Sequence, residues 1–366
     1  VLAPAPSSLA HSAQSTGGGR VSTERLGSAG AGTEGVSAER VGGDGIHDGV
    51  LAEVLEEDAP HEVSQNPGFR GRILFPFNDR IPGGLYRFDG EDYQLRQNDP
   101  ETGCAIHGLV YDQRCEVIDL SADDTGAALS LTYDIHPNAF PGYPFSVQLT
   151  ARYRLSGNGF HLVLQAQNTG SKPAPVSMGW HPYILTPDGV DAARLTCPAS
   201  RYVEVDAELL PTGALPSVSG TTFDFRDAQS VGQRELDIAL ERTGGTGPTG
   251  RPRSDGGARG STGEGPAKGA GDRGARGAWG ARGAADPAGT ATTFVDRGND
   301  IVAVQQSTDP FRFTQLFTSP SRSSIAVEPV TGATNAFNGA ELGLVRLEGG
   351  ENLIGEVSTT LLINPR

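Results

Sequence analysis

Glu328 stands directly before Pro329, at the end of the alternating run Ser324-Ile-Ala-Val-Glu328. Three more groups able to move or hold protons sit at similarly punctuated places. Arg80 lies in Asn78-Asp-Arg-Ile-Pro-Gly-Gly84, His107 precedes Gly108, and His181 lies in Gly179-Trp-His-Pro-Tyr183. A carboxylate and an imidazole are residue types that serve general acid–base chemistry, and a guanidinium presents a fixed fork of donors. Each also has a plainer explanation. Glu328 can be a solvated strand residue, Arg80 can pair with Asp79, and His107 can be a satisfied histidine in a tight turn. Trp180 and Tyr183, which flank His181, can be core aromatics or a platform for the C–H face of a sugar.

The elements that must position these groups read as strands. Ile325 and Val327 alternate with Ala326 and Glu328, so the two pairs face opposite sides of a half-buried strand. Proline after Glu328 and after His181 biases both residues to extended backbone. Arg72–Phe77 is an apolar strand, Asn78–Gly84 a turn, and Leu85–Phe88 returns to a hairpin at Asp89-Gly90. Gly108 permits a close backbone approach beside His107. Further strand candidates are 127–135, 145–155, 160–167, 176–185, 194–197, 201–205, 292–295, 300–306, 312–318 and 356–363. Strands at this spacing with few helical stretches predict an all-β sandwich or barrel.

Composition divides the chain of 366 residues. Residues 1–66 read as a low-complexity, disordered tail, with a short helical turn expected within Gly49–Glu57. Residues 67–366 read as one β domain, interrupted at about 243–290 by a Gly/Arg-rich insertion. Its Arg-Gly pairs are compatible with RNA binding, but a flexible surface insertion is the preferred reading. The formal net charge of −15 argues against nucleic-acid and anionic membrane partners. No apolar run reaches the ~18 residues of a membrane span, and the N-terminal residues make a poor secretory signal. The three cysteines, Cys104, Cys115 and Cys197, are read as reduced thiols in a cytoplasmic protein. Cys104, His107 and Cys115 lack a second closely spaced ligand pair, so a zinc site is not expected.

In order, Asn78-Asp-Arg-Ile81, His107-Gly108, His181-Pro-Tyr183 and Glu328-Pro329 form a series that resembles the aldose 1-epimerase (mutarotase) family. Gly84–Leu95, Phe223-Asp-Phe-Arg226, Glu235–Ala239 and Leu347–Asn352 are similar to segments of the same family. The resemblance covers about residues 69–240 and 291–363. It implies a β-supersandwich of the galactose mutarotase-like type, with a sugar bound in an open cleft and no cofactor or metal. By the same resemblance Glu328 is the base and His181 the general acid. Arg80, His107 and Asp237 bind sugar hydroxyls, with Asn78, Trp180 and Tyr183 as further substrate-binding candidates.

The implied reaction interconverts α and β anomers of a free hexose, glucose or galactose. A proton leaves the C1 hydroxyl, another reaches the ring oxygen, the ring opens, and rotation and reclosure invert C1. The expected partner is a small-molecule sugar, and the expected state is a monomer or homodimer. Two other readings stand beside this one. The first is a hexose-6-phosphate 1-epimerase, which needs Arg87, Arg96, Arg312 and Arg322 to converge. The second is a carbohydrate-binding module without turnover. Two departures from the family are expected to matter: its usual strands before Arg72–Phe77 have no counterpart in residues 1–65, and the insertion follows Asp237 closely.

Overall fold

The computed structural model describes residues 53–59, 61–66, 68–243, 290–298 and 301–363. Two antiparallel sheets face each other, as period-2 burial on facing strands requires. In the nine-stranded sheet the spatial order is Gln229–Ser230, Arg194–Thr196, Ala291–Asp296, Ile301–Ser307, Asn352–Ile363, Gly159–Asn168, Val147–Ser156, Gly126–Ile135 and Glu116–Asp123. The seven-stranded sheet runs Ile73–Leu74, Gly179–Trp180, Ser324–Val330, Phe313–Thr318, Asp237–Arg242 and Ala199–Tyr202. Tyr183–Leu185 also pairs with Ser324–Val330. Helical structure among the described residues is confined to three short 3-10 turns.

Between the sheets lies an apolar layer. Leu240, Leu316, Ile325 and Val327 of one sheet meet Val295 and Ala303 of the other. Ile325 and Val327 point into this layer, as their alternation predicts, so Ala326 and Glu328 face the other way. A second layer, which includes Phe75, Phe77, Tyr143, Trp180 and Phe337, fills the other half. These described residues belong to one compact unit, Ala52–Arg366.

Most expected strands are present within a residue or two. Among the exceptions, Arg72–Phe77 is a strand only at Ile73–Leu74, and 176–185 is three short strands, Ala174–Val176, Gly179–Trp180 and Tyr183–Leu185. The second break falls at His181-Pro182, where proline offers no N–H to a ladder. Glu116–Asp123, not among the expected strands, is exposed along its whole length and gives no one-sided apolar signal.

Residues 53–58, assigned by composition to the tail, add backbone to a sheet edge. Leu55 bridges Ile184, the Glu56 N–H donates to Tyr183 O at 2.9 Å, and the Leu185 N–H donates to Val54 O at 2.9 Å. This stretch is extended, not the helical turn expected there. It pairs backbone to backbone with Tyr183–Leu185 at that edge. Residues 1–52 and 244–289, most of the expected tail and insertion, lie outside the described residues.

Candidate active site

Three adjacent strands carry the site on one face. Gln315 is the register partner of both Glu328 and Ala239, while Phe317 pairs with Asp237 and Ala326. Directly opposed residues share a face, and so do residues two apart along one strand. Glu328, Gln315, Phe317 and Asp237 therefore project together, away from the apolar layer between the sheets. Tyr183, opposite Ala326, joins them from the next strand.

Loops complete the wall. Asp79 and Arg80 come from the turn after Phe77, and His107 from the turn before Gly108. The two turns are tied reciprocally. The His107 N–H donates to Asp79 O at 3.2 Å, and the Asp79 N–H donates to His107 Nδ1 at 3.3 Å. Asp79 and His107 both adopt left-handed backbone, with φ of 59° and 61°. Gly108, at φ 89°, lets the chain pass so close to Phe75 that a Cβ there would lie 2.3 Å from Phe75 O. The tight approach read from Gly108 is therefore real, and it places His107. Because Nδ1 accepts the Asp79 N–H, the neutral His107 ring carries its proton on Nε2.

These groups line a cavity of about 530 Å³, with Phe69, Arg70 and the Ser319–Ser321 turn at its margin. At its centre His181 Nε2 lies 3.4 Å from Glu328 Oε1, and both side chains are almost fully buried. Arg80 Nη1 stands 3.5 Å from both Asp79 Oδ1 and Asp237 Oδ2, and Arg80 Nε is 3.8 Å from Asp99 Oδ2. Gln315 Nε2 donates to Asp237 Oδ1 at 2.7 Å and fixes that carboxylate. The His181 ring stacks on Tyr183 at 4.9 Å and meets His107 edge-on at 5.2 Å.

Burial dominates the electrostatics. Glu328 is raised well above the usual carboxylate range, by burial first and then by the charges of Asp79 and Asp237, with Arg80 opposing. His181 is lowered to about 3, mainly by burial. His107 is held well below its usual value by burial, His181 and Arg80. Asp79 is raised to about 6 by burial, against the pull of Arg80. Burial thus disfavours the charged form of Glu328, His181 and His107 alike.

The structure brings Glu328, His181, Arg80, His107, Asp237 and Tyr183 to one cavity. Two sequence candidates are elsewhere. Asn78 is buried behind the wall, where its Nδ2 donates to Gly332 O and its Oδ1 accepts the Ser177 hydroxyl. Trp180 is 2% exposed and stacks on Phe160 at 5.0 Å; it is a core aromatic, not a sugar platform. Asn78 and Trp180 are not among the lining residues. The proposed phosphate cluster does not form either. Arg87 pairs with Asp92, Arg312 with Glu241, and Arg322 with Asp191, while Arg96 is exposed away from the cavity.

Asp79, Gln315, Phe69 and Arg70 line the cavity but were missed in the sequence. Asp79 was in view as the neighbour of Arg80. Gln315 follows the same alternation as Phe313 and Phe317, but only the register opposite Glu328 reveals it. Among the described residues no group of three or more His, Cys, Asp or Glu side chains could hold a metal ion, and all three cysteines are free. No described helix is long and apolar enough to cross a membrane.

This arrangement coincides with a family. The model of the aldose 1-epimerase family matches residues 47–250, more than half of the chain, and the chain belongs to that family. An Escherichia coli aldose 1-epimerase is 31% identical over 199 residues, which are 52% of this chain and 55% of that protein. The uncharacterised Escherichia coli protein YihR is 31% identical over 183 residues, 49% of this chain and 56% of its own length. Human galactose mutarotase is 26% identical over 180 residues, 48% and 51% of the two chains. The matches thus span about half the length of these relatives. Among solved structures, a galactose mutarotase-like protein from Clostridium acetobutylicum superimposes with a TM-score of 0.65 at 15% identity, over 85% of this chain and 86% of its own. A galactose 1-epimerase from Lactobacillus acidophilus gives 0.62 at 18% identity, over 85% of both chains. The fold is the galactose mutarotase-like β-supersandwich expected from the motif series.

Proposed function

We propose that this chain is an aldose 1-epimerase that interconverts the anomers of a free hexose, glucose or galactose, by acid–base ring opening. One observation carries the reading: Glu328 and His181 meet at 3.4 Å inside a cavity that Arg80, His107 and Asp237 also line. The pair shares one mobile proton. Burial disfavours charge on either partner, and a proton on Glu328 leaves both neutral. Sugar hydroxyls donated to the carboxylate favour its ionised form, so binding passes the proton to His181 Nε2.

Glu328 then takes the C1 hydroxyl proton as His181 protonates the ring oxygen. The ring opens, C1 rotates, and the two groups exchange roles for closure on the other face. Arg80, His107 through its Nε2–H, and Asp237 hold the remaining hydroxyls. The Tyr183 ring braces His181 from behind by stacking. A binding module without turnover has no need of a buried carboxylate against an imidazole. The displaced arginines remove the support for a 6-phosphate.

Polarimetry of freshly dissolved α-D-glucose and α-D-galactose tests the proposal. The protein is expected to accelerate the approach to equilibrium, and Glu328→Gln to abolish that acceleration while leaving the circular dichroism spectrum unchanged. A folded protein that leaves both sugars at their spontaneous rate would refute it.

A further inference from the structure

We infer that Phe69 is a positioning residue: its ring fixes the two cavity histidines relative to one another. This role rests on the epimerase reading above, in which His181 moves a proton and His107 holds a hydroxyl. The three ring centroids form a closed triangle. Phe69 meets His107 edge-on at 4.5 Å and 70°, His107 meets His181 at 5.2 Å and 85°, and Phe69 lies nearly parallel to His181 at 6.4 Å and 19°. The His107 Nδ1 accepts the Asp79 N–H, which fixes its tautomer. His181 has no such anchor: its Nδ1 is buried and finds no hydrogen-bond partner in another described residue. A histidine ordinarily takes its orientation from the hydrogen bond made by the ring nitrogen that faces away from its working partner. For His181 that task falls to packing, by Tyr183 stacked at 4.9 Å and by the other two rings of the triangle.

Backbone strain at Phe69 points the same way. Phe69 has φ 58°, left-handed backbone that a bulky side chain rarely adopts, between Gly68 at φ 87° and Gly71 at φ 69°. Such strain persists only where the surroundings impose it, and it gathers at functional sites. Here the surroundings are explicit. The Tyr183 hydroxyl donates to Gly68 O at 2.9 Å, the Gly71 N–H to His181 O at 2.8 Å, and the Arg72 N–H to Phe69 O at 3.0 Å. The strain does not serve the core, because none of the apolar clusters among the described residues includes Phe69. Its ring is half-buried in the cavity wall. Tyr111 backs it edge-on at 4.9 Å, and the Tyr111 hydroxyl accepts Asn98 Nδ2 at 2.9 Å. Asn98 Oδ1 in turn accepts the Ile106 N–H at 2.8 Å, beside His107. The wedge is therefore tied to the turn that carries one histidine and to the backbone of the other.

The test compares the whole parental chain with Phe69→Ala, Phe69→Gly and Phe69→Tyr. It uses mutarotation kinetics on α-D-glucose and nitrogen NMR of the histidine rings, assigned through His107→Asn and His181→Asn. Phe69→Ala is expected to lower kcat/KM on the order of 10–10²-fold, with kcat sharing the loss, as misplaced reacting groups do. Both imidazoles should also titrate nearer the ordinary histidine value of about 6.5, where burial holds them below it in the parent. Phe69→Gly removes the strain along with the ring and should match Phe69→Ala, whereas Phe69→Tyr should restore parental kinetics. If Phe69→Ala does not fold, Phe69→Leu carries the same comparison. Parental kcat with unchanged imidazole titration in a folded Phe69→Ala would overturn the positioning role and leave the epimerase reading intact. A rise in KM alone, with unchanged titration, would make Phe69 a sugar contact and overturn it too. A parent that does not accelerate exchange, beside a Phe69→Ala whose imidazoles shift, would overturn the epimerase reading and leave the packing of the histidines standing.

Discussion

Asp58 Oδ1 lies 3.2 Å from Arg70 Nη1, and the same carboxylate reaches Arg72 Nη2 at 3.8 Å. The Asp58 side chain is only 4% exposed. This clamp fastens residues 68–72 beside the candidate acid. The Gly71 N–H donates to His181 O at 2.8 Å, the His181 N–H donates to Arg72 O at 3.0 Å, and Arg70 lies over the Tyr183 ring at 5.5 Å. Asp58→Asn should therefore lower stability by about 1–2 kcal/mol, discounted from a fully buried pair because both arginines keep partial solvent access. It should also lower kcat more than it raises KM, since the loosened segment braces His181. Urea denaturation with steady-state kinetics would check both. A variant with parental kcat would mean the clamp serves the fold alone.

His181→Asn removes the imidazole that is to carry the mobile proton. Catalysed mutarotation is expected to fall by about 10²–10⁴, the usual range for loss of one positioned proton-transfer group. The pH dependence gives an independent check. The pair needs its one proton, and Glu328 holds it with an affinity raised by burial and by Asp79 and Asp237. Activity should therefore decline on the alkaline side, at a pH above the ordinary carboxylate range. Removing one negative neighbour in Asp79→Asn should move that decline to lower pH. A profile in Asp79→Asn that stays put would show that Asp79 does not act on Glu328.

The sheet was readable because Ile325 and Val327 bury one face of a strand and leave Ala326 and Glu328 on the other. The candidates His107, before Gly108, and His181 and Glu328, each before proline, were singled out by the order of four short motifs and not by any one residue. Asn78 and Trp180 were misread because adjacency in sequence does not imply a shared direction. On an extended backbone Trp180 and His181 point to opposite sides, one into the core and one into the cavity. Gln315 and the Asp58 clamp were out of reach for a different cause. Their importance lies in strand register and in contacts between segments far apart, and neither leaves a local signature.

Stability should respond to the buried Asp79 with a definite sign. Its pKa is about 6 in the fold against 3.8 for an unperturbed group, so the folded state binds more protons between those values. Unfolding free energy therefore falls as pH rises through that window and levels off above it. Asp79→Asn removes this dependence. Relative to the parent, the variant should gain on the order of 2 kcal/mol between pH 4 and pH 7. Paired denaturation curves across that range measure the difference directly, and comparison with the parent cancels the opposing contribution of His181. A difference that stays flat with pH would contradict the raised value.

Gly108→Ala should be costly. A side chain at φ 89° is strained, and its Cβ would lie 2.3 Å from the Phe75 carbonyl oxygen, where the Leu109 N–H donates at 2.7 Å. A loss on the order of 2–3 kcal/mol is expected. The backbone must move to relieve the clash, and His107 is the adjacent residue. The KM for sugar should consequently rise more than kcat falls. Thermal melts and kinetics on the same preparation would separate the two effects.

Asn78→Ala distinguishes a wall residue from a ligand. Asn78 is 2% exposed, and its amide joins Gly332 O on one side to Ser177 Oγ on the other. Alanine leaves the buried Gly332 carbonyl without its donor and the Ser177 hydroxyl without its acceptor, a loss worth about 1–3 kcal/mol. If Asn78 touched sugar, the same change would also raise KM sharply in protein that remains folded. The geometry predicts otherwise: reduced stability, with KM within about twofold of the parent at temperatures well below the melt, because an effect confined to folding leaves the binding contacts in place. Denaturation and initial-rate measurements on one variant therefore decide which role the residue has.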